Sequence, residues 1–534
     1  MRLIIIISIL FLVQSQSLAQ NGTVKSFYKI SQTQGNIPIT LSHAFGASST
    51  CIGDINNDGV KDFAIGEIDG VNDGKLHIIF MNVNGSVKSV TTIKSGQSGL
   101  PSSFTLPNLD LNNFGMSVDT IGDIDGDGVV DLVTGIEDYH NGTYKGYVFI
   151  LFMNTDGTIK SYTPIGENIS GFVGSLSQTS FGFSVAGIGD LNNDGINDLA
   201  VGGYKKDNNK GAVWILFLNS DGTVKSQNLI DKNNIAISNY FSQSLFPNPK
   251  FGYSISKLGD LNKDGNVDIL VSSIQYKFIS GLGSTAILFL NSDGSIQSIK
   301  PIDIGTPNFT DTLLCYQDSL NPYNVPIYGS SVMSMGDLNG DFNTDIAISA
   351  PRFSDSLCTK CGAVGIFFLD SLGNILSYQR ISKGNGNFNA NLNQNDDFGG
   401  SLSGIGDFNG DQINDILVSS PGNDDGGLNR GAIYILNLNG VPDTSPIKNV
   451  NQLSGIKLFP NPTTESIKIE FKTIQNQETQ WKIQDLKGVM LKGGKIPINS
   501  LSENINIQDL SSGIYIITFQ NKNNVFTKKI VIAK

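Results

Sequence analysis

The sequence predicts an all-β chain, a six-bladed β-propeller followed by a small C-terminal β-sandwich. Three observations lead there. A unit made of a short apolar strand, an acidic loop and further apolar strands recurs six times, with loop starts separated by 69, 67, 70, 77 and 70 residues. That period is longer than a solenoid turn and suits a four-stranded blade with long connections. The runs between the loops are β-branched and aromatic, punctuated by Gly and Asn, and none holds a sustained helical period. Beyond residue 455 the pattern changes to short alternating strands, as in a β-sandwich.

The chain opens with an export signal. One positive charge at Arg2 precedes the apolar run Leu3 to Val13, and Ser17-Leu18-Ala19 supplies small residues for cleavage after Ala19. The run is shorter than the roughly 20 residues a membrane helix needs. No other segment has that apolar length, so no transmembrane segment is expected after signal cleavage. Residues 20–440 hold the repeats, 441–455 form a polar linker, and 456–534 form the terminal domain. The net charge of −12 argues against nucleic acid as a partner. The acid is unevenly placed, since from Leu453 onward 11 lysines face six acidic residues.

Within a unit, the strand after the acidic loop leads to a hairpin. In the second unit Tyr147 to Met153 (YVFILFM) is apolar throughout, as expected for a strand buried on both faces. Asn154-Thr155-Asp156-Gly157 then makes a tight turn into an alternating strand from Thr158. The last unit stops at Asn439-Gly440, where the others begin their fourth strand. The segment Asn21 to Ser26 (NGTVKS) echoes Asp221 to Ser226 (DGTVKS). Residues 23–30 therefore read as the missing strand, pairing near 431–438 and closing the ring without an open edge.

The six loops follow D-x-[DN]-x-D-[G]-x-x-D, with two departures at the sixth position. Crowded carboxylates repel unless a cation sits among them, and calcium takes six to eight hard oxygens from a bendable loop. Up to six structural Ca2+ ions are expected. The first would be held by Asp54, Asn56, Asp58, Asp62 and the carbonyl of Val60. The second would use Asp123, Asp125, Asp127, Asp131 and Val129, and the third Asp190, Asn192, Asp194, Asp198 and Ile196. The fourth would use Asp260, Asn262, Asp264, Asp268 and Asn266. The fifth would use Asp337, Asn339, Asp341, Asp345 and Asn343, and the sixth Asp407, Asn409, Asp411, Asp415 and Ile413. Magnesium suits these loops less, because it demands tighter octahedral geometry. Position 6 is Gly in the first four loops but Phe342 and Gln412 in the last two. If it needs positive φ, those two loops are strained and should bind most weakly, and the all-Asp second loop most tightly.

These units resemble FG-GAP repeats, the blades of integrin α-chain propellers and of many bacterial surface proteins. Phe114-Gly115 and Phe181-Gly182 carry the FG half, and Ser349-Ala350-Pro351 and Ser419-Ser420-Pro421 a loose GAP half. The resemblance departs in number, since integrin propellers have seven blades. The terminal domain resembles the type A sorting domain of the type IX secretion system. It carries Leu458-Phe459-Pro460-Asn461-Pro462, Ile467 to Phe471, Asp485-Leu486-Lys487-Gly488, Asp509 to Tyr515 and a basic end from Lys528. That resemblance implies a Bacteroidota-type cell, passage through the periplasm, and the type IX machinery as partner of residues 456–534. It also implies an extracellular or outer-surface destination.

Two functions stay open: an adhesion module binding an extracellular glycan or protein, and a polysaccharide hydrolase or lyase. The chain has three histidines. His77 sits in the apolar run LHIIF as a strand residue, His140 in a polar hairpin loop, and His43 near the start. No nucleophile elbow, HExxH or phosphate loop occurs, so binding is the expected class and no catalytic residue is assigned. Of Cys51, Cys315, Cys358 and Cys361, the last two form a CxxC that reads as a loop clip, with a redox pair or half a zinc site as alternatives. Deleting residues 456–534 is expected to hold the protein in the periplasm with its propeller folded. Cell fractionation checks this, and normal surface delivery of the truncated chain rejects the sorting assignment.

Overall fold

Branched and aromatic side chains at alternate positions favour extended backbone because they pack on a pleated surface. The computed structural model describes residues 20–68, 74–102, 109, 111–137, 139–140, 143–243, 248–274, 283–303, 306–309, 327–442, 456–459, 463–471, 479–484, 490–497, 500, 502–521 and 524–533. The export signal, most of the linker and Cys315 lie outside them. The chain divides into two units, Met1–Asp443 and Thr444–Lys534.

The first unit is a β-propeller. Among the described residues it contains six four-stranded antiparallel sheets. The first blade runs Phe45–Gly53, Asp62–Glu67, Lys75–Met81 and Val87–Ile93, and each later blade repeats that order outward. Third strands are buried on both faces, as in Tyr147–Met153, whose seven residues are all buried. Fourth strands are more exposed, and Val87–Ile93 buries its two ends while exposing Lys88 and Ser89. Apolar clusters lie between neighbouring blades: Ile78 and Phe80 of the first pack with Phe114 and Phe149 of the second.

The sixth blade comprises Leu402–Gly406, Asp415–Ser420, Ala432–Leu438 and the N-terminal strand Val24–Ser31. The last two pair antiparallel from Val24↔Leu438 to Ser31↔Ala432, as the sequence predicts. The junction is a hairpin turn with its chain cut. In the third blade Gly222 N–H donates to Asn219 O (2.9 Å) and Asn219 N–H to Thr223 O (2.9 Å). At the junction Gly22 N–H donates to Asn439 O (2.7 Å) and Asn439 N–H to Thr23 O (2.7 Å). Asp425 clasps the same strand, accepting from Lys29, Ser31 and Thr33.

Two cycles of contacts link each blade to the next. A glycine before each third strand lies against the carbonyl of the aromatic residue that opens the following blade. The pairs are Gly74 with Phe114, Gly146 with Phe181, Gly211 with Phe251, Gly283 with Tyr328, Gly362 with Phe398 and, returning to the start, Gly431 with Phe45. A Cβ on Gly146 would stand 1.8 Å from Phe181 O. A serine three residues after each opening aromatic makes the second cycle. Ser48, Ser117 and Ser184 donate to the carbonyls of Gly115, Gly182 and Gly252 (2.7, 2.9 and 2.9 Å). Ser254 and Ser331 accept from Val332 and Leu402 N–H (3.1 and 3.0 Å), and Ser401 meets Ser49 at 2.8 Å.

One expectation fails. The repeats do contain a helix, Ile235–Gln243, in the connection after the third blade. Asn234 Oδ1 caps it by accepting from Ala236 N–H (2.9 Å), and Ile237, Tyr240 and Phe241 pack on the core between the third and fourth blades. Nine residues are too few for a periodic signal to stand out between strands.

The second unit holds a three-stranded sheet, Ile456–Phe459, Ser466–Phe471 and Ser502–Asn506. Its four-stranded sheet comprises Met490–Ile496, Thr479–Gln484, Gly513–Asn521 and Asn524–Ile532. Ile467, Ile469 and Ile505 of the first share a core with Ile483, Ile517, Phe519 and Ile530 of the second.

Gly146→Ala tests the glycine cycle. Forcing a methyl group against a fixed carbonyl is expected to cost about 1–3 kcal/mol, read as a lower denaturation midpoint. An unchanged midpoint would show that the blades slide freely at this contact.

Candidate functional site

Each acidic loop joins the first strand of a blade to the second, and all six share one hydrogen-bond pattern. The position 1 carboxylate accepts from the N–H groups of positions 5 and 6, at 2.8 and 2.7 Å for Asp54. The position 3 oxygen accepts from position 5 N–H, and position 5 Oδ1 from position 7 N–H, at 2.9 Å each in the first loop. The local sequence thus folds the loop around its own carboxylates.

Position 9 is different. Asp62, Asp131, Asp198, Asp268, Asp345 and Asp415 are each at most 1% exposed. Oδ1 of each accepts from the N–H of the last residue of its blade's third strand: Met81, Met153, Leu218, Leu290, Leu369 and Leu438, at 3.0–3.3 Å. Oδ2 accepts from position 2 N–H in five loops, for example Ile124 at 3.1 Å. In the first loop Asp62 Oδ2 is buried without a hydrogen-bond partner. Burial pushes Asp62 and Asp345 up to about 7 and the other four to about 6. A cation beside them would hold them ionised.

In the second loop oxygens of Asp123, Asp125 and Asp131 lie within 4.8 Å of one another. Asp127 turns Oδ2 to Lys160 Nζ at 2.6 Å. The donor set is all oxygen, which fits a hard divalent cation and excludes the soft thiolate chemistry of structural zinc.

The other ends of the first strands form a second candidate region. The first strands line a central cavity of about 410 Å3 whose wall includes Ser49, Thr50, Ser256, Ser334, Asp119 and Lys257. Asp119 accepts from Thr120 N–H, Thr50 Oγ1 and Gly187 N–H (2.8, 3.0 and 3.1 Å), and burial raises its pKa. At the mouth Phe183, Tyr204 and Tyr253 cluster with ring centroids 4.4–5.5 Å apart. The ammonium groups of Lys205 and Lys250 stand 5.3 and 5.4 Å from the Tyr204 ring, and Glu137 holds Lys205 at 3.0 Å.

Known families match both units. The FG-GAP repeat matches residues 181–216 and 398–436, and the secretion system C-terminal sorting domain matches 457–533. The chain carries FG-GAP repeats and a type IX sorting tail. Integrin alpha-7 of Homo sapiens is 27% identical over 285 residues, covering 52% of this chain and 20% of the integrin. Integrin alpha-11 of Homo sapiens is 33% identical over 168 residues, covering 30% and 12%. This chain thus spans about a fifth or less of these relatives. An ancestral GH74 enzyme of solved structure covers 96% of this chain and 62% of its own at 10% identity and a TM-score of 0.36, a likeness too low to bear on fold or activity. The sorting tail implies export to the cell surface or extracellular space. Among the described residues no helix is long and apolar enough to cross a membrane.

The loop backbones change the premise of the predicted ranking, that only the last two loops are strained. Phe342 and Gln412 do take positive φ (65° and 67°), but position 4 is left-handed as well. There the first, third and fourth loops carry Asn57, Asn193 and Lys263 (59–61°), and the last two carry Gly340 and Gly410. Five loops therefore hold one non-glycine left-handed residue each, and the second, with Gly126 and Gly128, holds none. The strain is shared rather than confined to the last two loops.

His77 is a strand residue as expected. It is 2% exposed, with Nδ1 3.0 Å from Thr92 Oγ1 and Nε2 3.6 Å from Glu67 Oε2. Burial opposes the Glu67 charge, but His77, Lys75 and Ser42 outweigh it and hold Glu67 at about 2. His43 is exposed, and the side chain of His140 lies outside the description. Cys358 and Cys361 form a disulfide, the clip the spacing suggests. Cys51 is a free thiol lining the channel. The channel-mouth aromatics were missed, because Phe183 and Tyr204 flank different strands of the third blade and Tyr253 lies in the first strand of the fourth.

The two kinds of loop aspartate are expected to separate by mutation. Asp198→Ala removes the acceptor for Leu191 and Leu218 N–H, so it lowers the melting midpoint both in calcium and in chelator. Asp264→Ala, at position 5 of the fourth loop, lowers it mainly in calcium. Equal losses in both media for the two variants would contradict the division.

Proposed function

We propose that the mature protein is a calcium-stabilised propeller, displayed on or released from the outer surface, that binds an extracellular glycan or protein at the channel mouth. The observation carrying this reading is the aromatic and lysine cluster of Phe183, Tyr204, Tyr253, Lys205 and Lys250, set at the strand ends opposite the acidic loops. Aromatic faces stack on sugar rings or side chains, and lysines beside them favour anionic groups. The acidic loops then act as scaffold: bound Ca2+ fixes the turn between first and second strands, and its binding free energy adds to folding free energy.

Binding accounts for the site better than catalysis. Among the described residues the channel wall brings one carboxylate, Asp119, where glycoside hydrolysis ordinarily uses a pair. The family likeness of residues 457–533 supports delivery by the type IX machinery after signal-directed passage into the periplasm.

A glycan array probed with the purified protein in calcium and in chelator tests the reading. Calcium-dependent binding that Tyr253→Ala weakens at least tenfold is expected. Release of cleavage products from a polysaccharide panel would replace binding with hydrolysis or elimination.

A further inference from the structure

The fourth strand of every blade begins beside that blade's own acidic loop. Its second residue is Lys88, Lys160, Lys225, Gln297 and Leu376 in the first five blades, and Lys25, supplied by the N-terminal strand, in the sixth. In four blades this residue is a lysine whose ammonium reaches the position 5 carboxylate. Lys88 meets Asp58 at 2.7 Å, Lys225 meets Asp194 at 2.8 Å and Lys25 meets Asp411 at 2.9 Å. Lys160 meets both Asp125 and Asp127 at 2.6 Å. The contact uses Oδ2, while Oδ1 of the same carboxylate accepts from position 7 N–H, at 2.9 Å for Asp58. In the fourth blade neutral Gln297 accepts from Asn262 Nδ2 at 3.3 Å. In the fifth, Leu376 brings no charge and is 49% exposed.

We propose that these four lysines are built-in counter-ions that hold their loops folded when calcium is absent, so that calcium dependence is concentrated in the Asp260 and Asp337 loops. The inference rests on the calcium reading of the loops. Every loop holds at least three carboxylates, and like charges at this spacing repel. An ammonium on position 5 cancels one of them from the fourth-strand side of the loop, and in the second blade Lys160 also takes Asp125 at position 3. It also competes with a metal ion for the electrons of that carboxylate. A lysine loop is therefore more stable empty and less avid for calcium than the same loop without its lysine. Among the described residues the fourth and fifth loops have no such partner, and they unravel first when calcium is withdrawn.

Hydrogen exchange on the full mature protein, in calcium and in chelator, tests this directly. Protection is expected to be lost in chelator over residues 260–268 and 337–345, and kept over 54–62, 123–131, 190–198 and 407–415. Two variants carry the test further. Lys25→Met, Lys88→Met, Lys160→Met and Lys225→Met combined should extend the loss to all six loops. Each changed loop should then bind calcium about two- to fivefold more tightly, the scale of one partly exposed ion pair. Gln297→Lys with Leu376→Lys, which adds the missing partners, should restore protection in chelator. If the wild-type protein exchanges identically in calcium and chelator, the calcium reading itself falls and takes this proposal with it. If the wild type responds but all six loops open together, or the methionine variant matches the wild type, only the counter-ion role is overturned.

Discussion

Each blade buries a carboxylate, position 9 of its acidic loop, against the N–H group that ends its third strand. An ionised group out of water needs a partner, because desolvation penalises the charge far more than it penalises a neutral residue. Backbone donors supply part of the compensation, and the other acids of the loop make the deficit worse. The loop must therefore take up a proton, a lysine or a metal ion. On the proposed reading, calcium would meet that demand with ligands already placed by the loop's own hydrogen bonds. Because the same carboxylate grips the third strand, the state of the loop is felt across three strands of the blade.

Circular closure transmits that local order around the propeller. The glycine and serine cycles leave no blade with a free side, and the last link in each returns to the first blade through Phe45 and Ser49. Pairing of Val24–Ser31 with Ala432–Leu438 ties the chain's two distant segments into one sheet. It also brings Lys25 to the loop containing Asp411. The ring's closure and the electrostatics of its sixth loop are therefore one structural event.

The repeat, the acidic loops and the strand that completes the last blade were legible because each is written in contiguous residues with a fixed period. The NGTVKS echo even located the cut hairpin turn. What the sequence did not yield is built from residues far apart in the chain. The glycine before each third strand means nothing until the next blade's opening carbonyl is seen beside it. The serine after each FG-like pair recurs six times and could have been noticed, but its hydrogen bond crosses between units. Position 4 of the loops was overlooked because Asn and Lys there disguise a left-handed backbone that Gly340 and Gly410 reveal. The aromatic cluster has no motif at all, since Phe183, Tyr204 and Tyr253 come from different repeats or connections.

The two ends of the first strands carry different duties, with charge and scaffold at one end and aromatic contact surface at the other. The FG end also holds both cycles of contacts, through the carbonyls of its opening residues and the serines that follow them. The account stands on metal in the acidic loops, and native mass spectrometry of the mature protein at saturating calcium measures that most directly. It predicts six calcium ions per chain, removed by chelator; a folded chain that carries none under those conditions would contradict it.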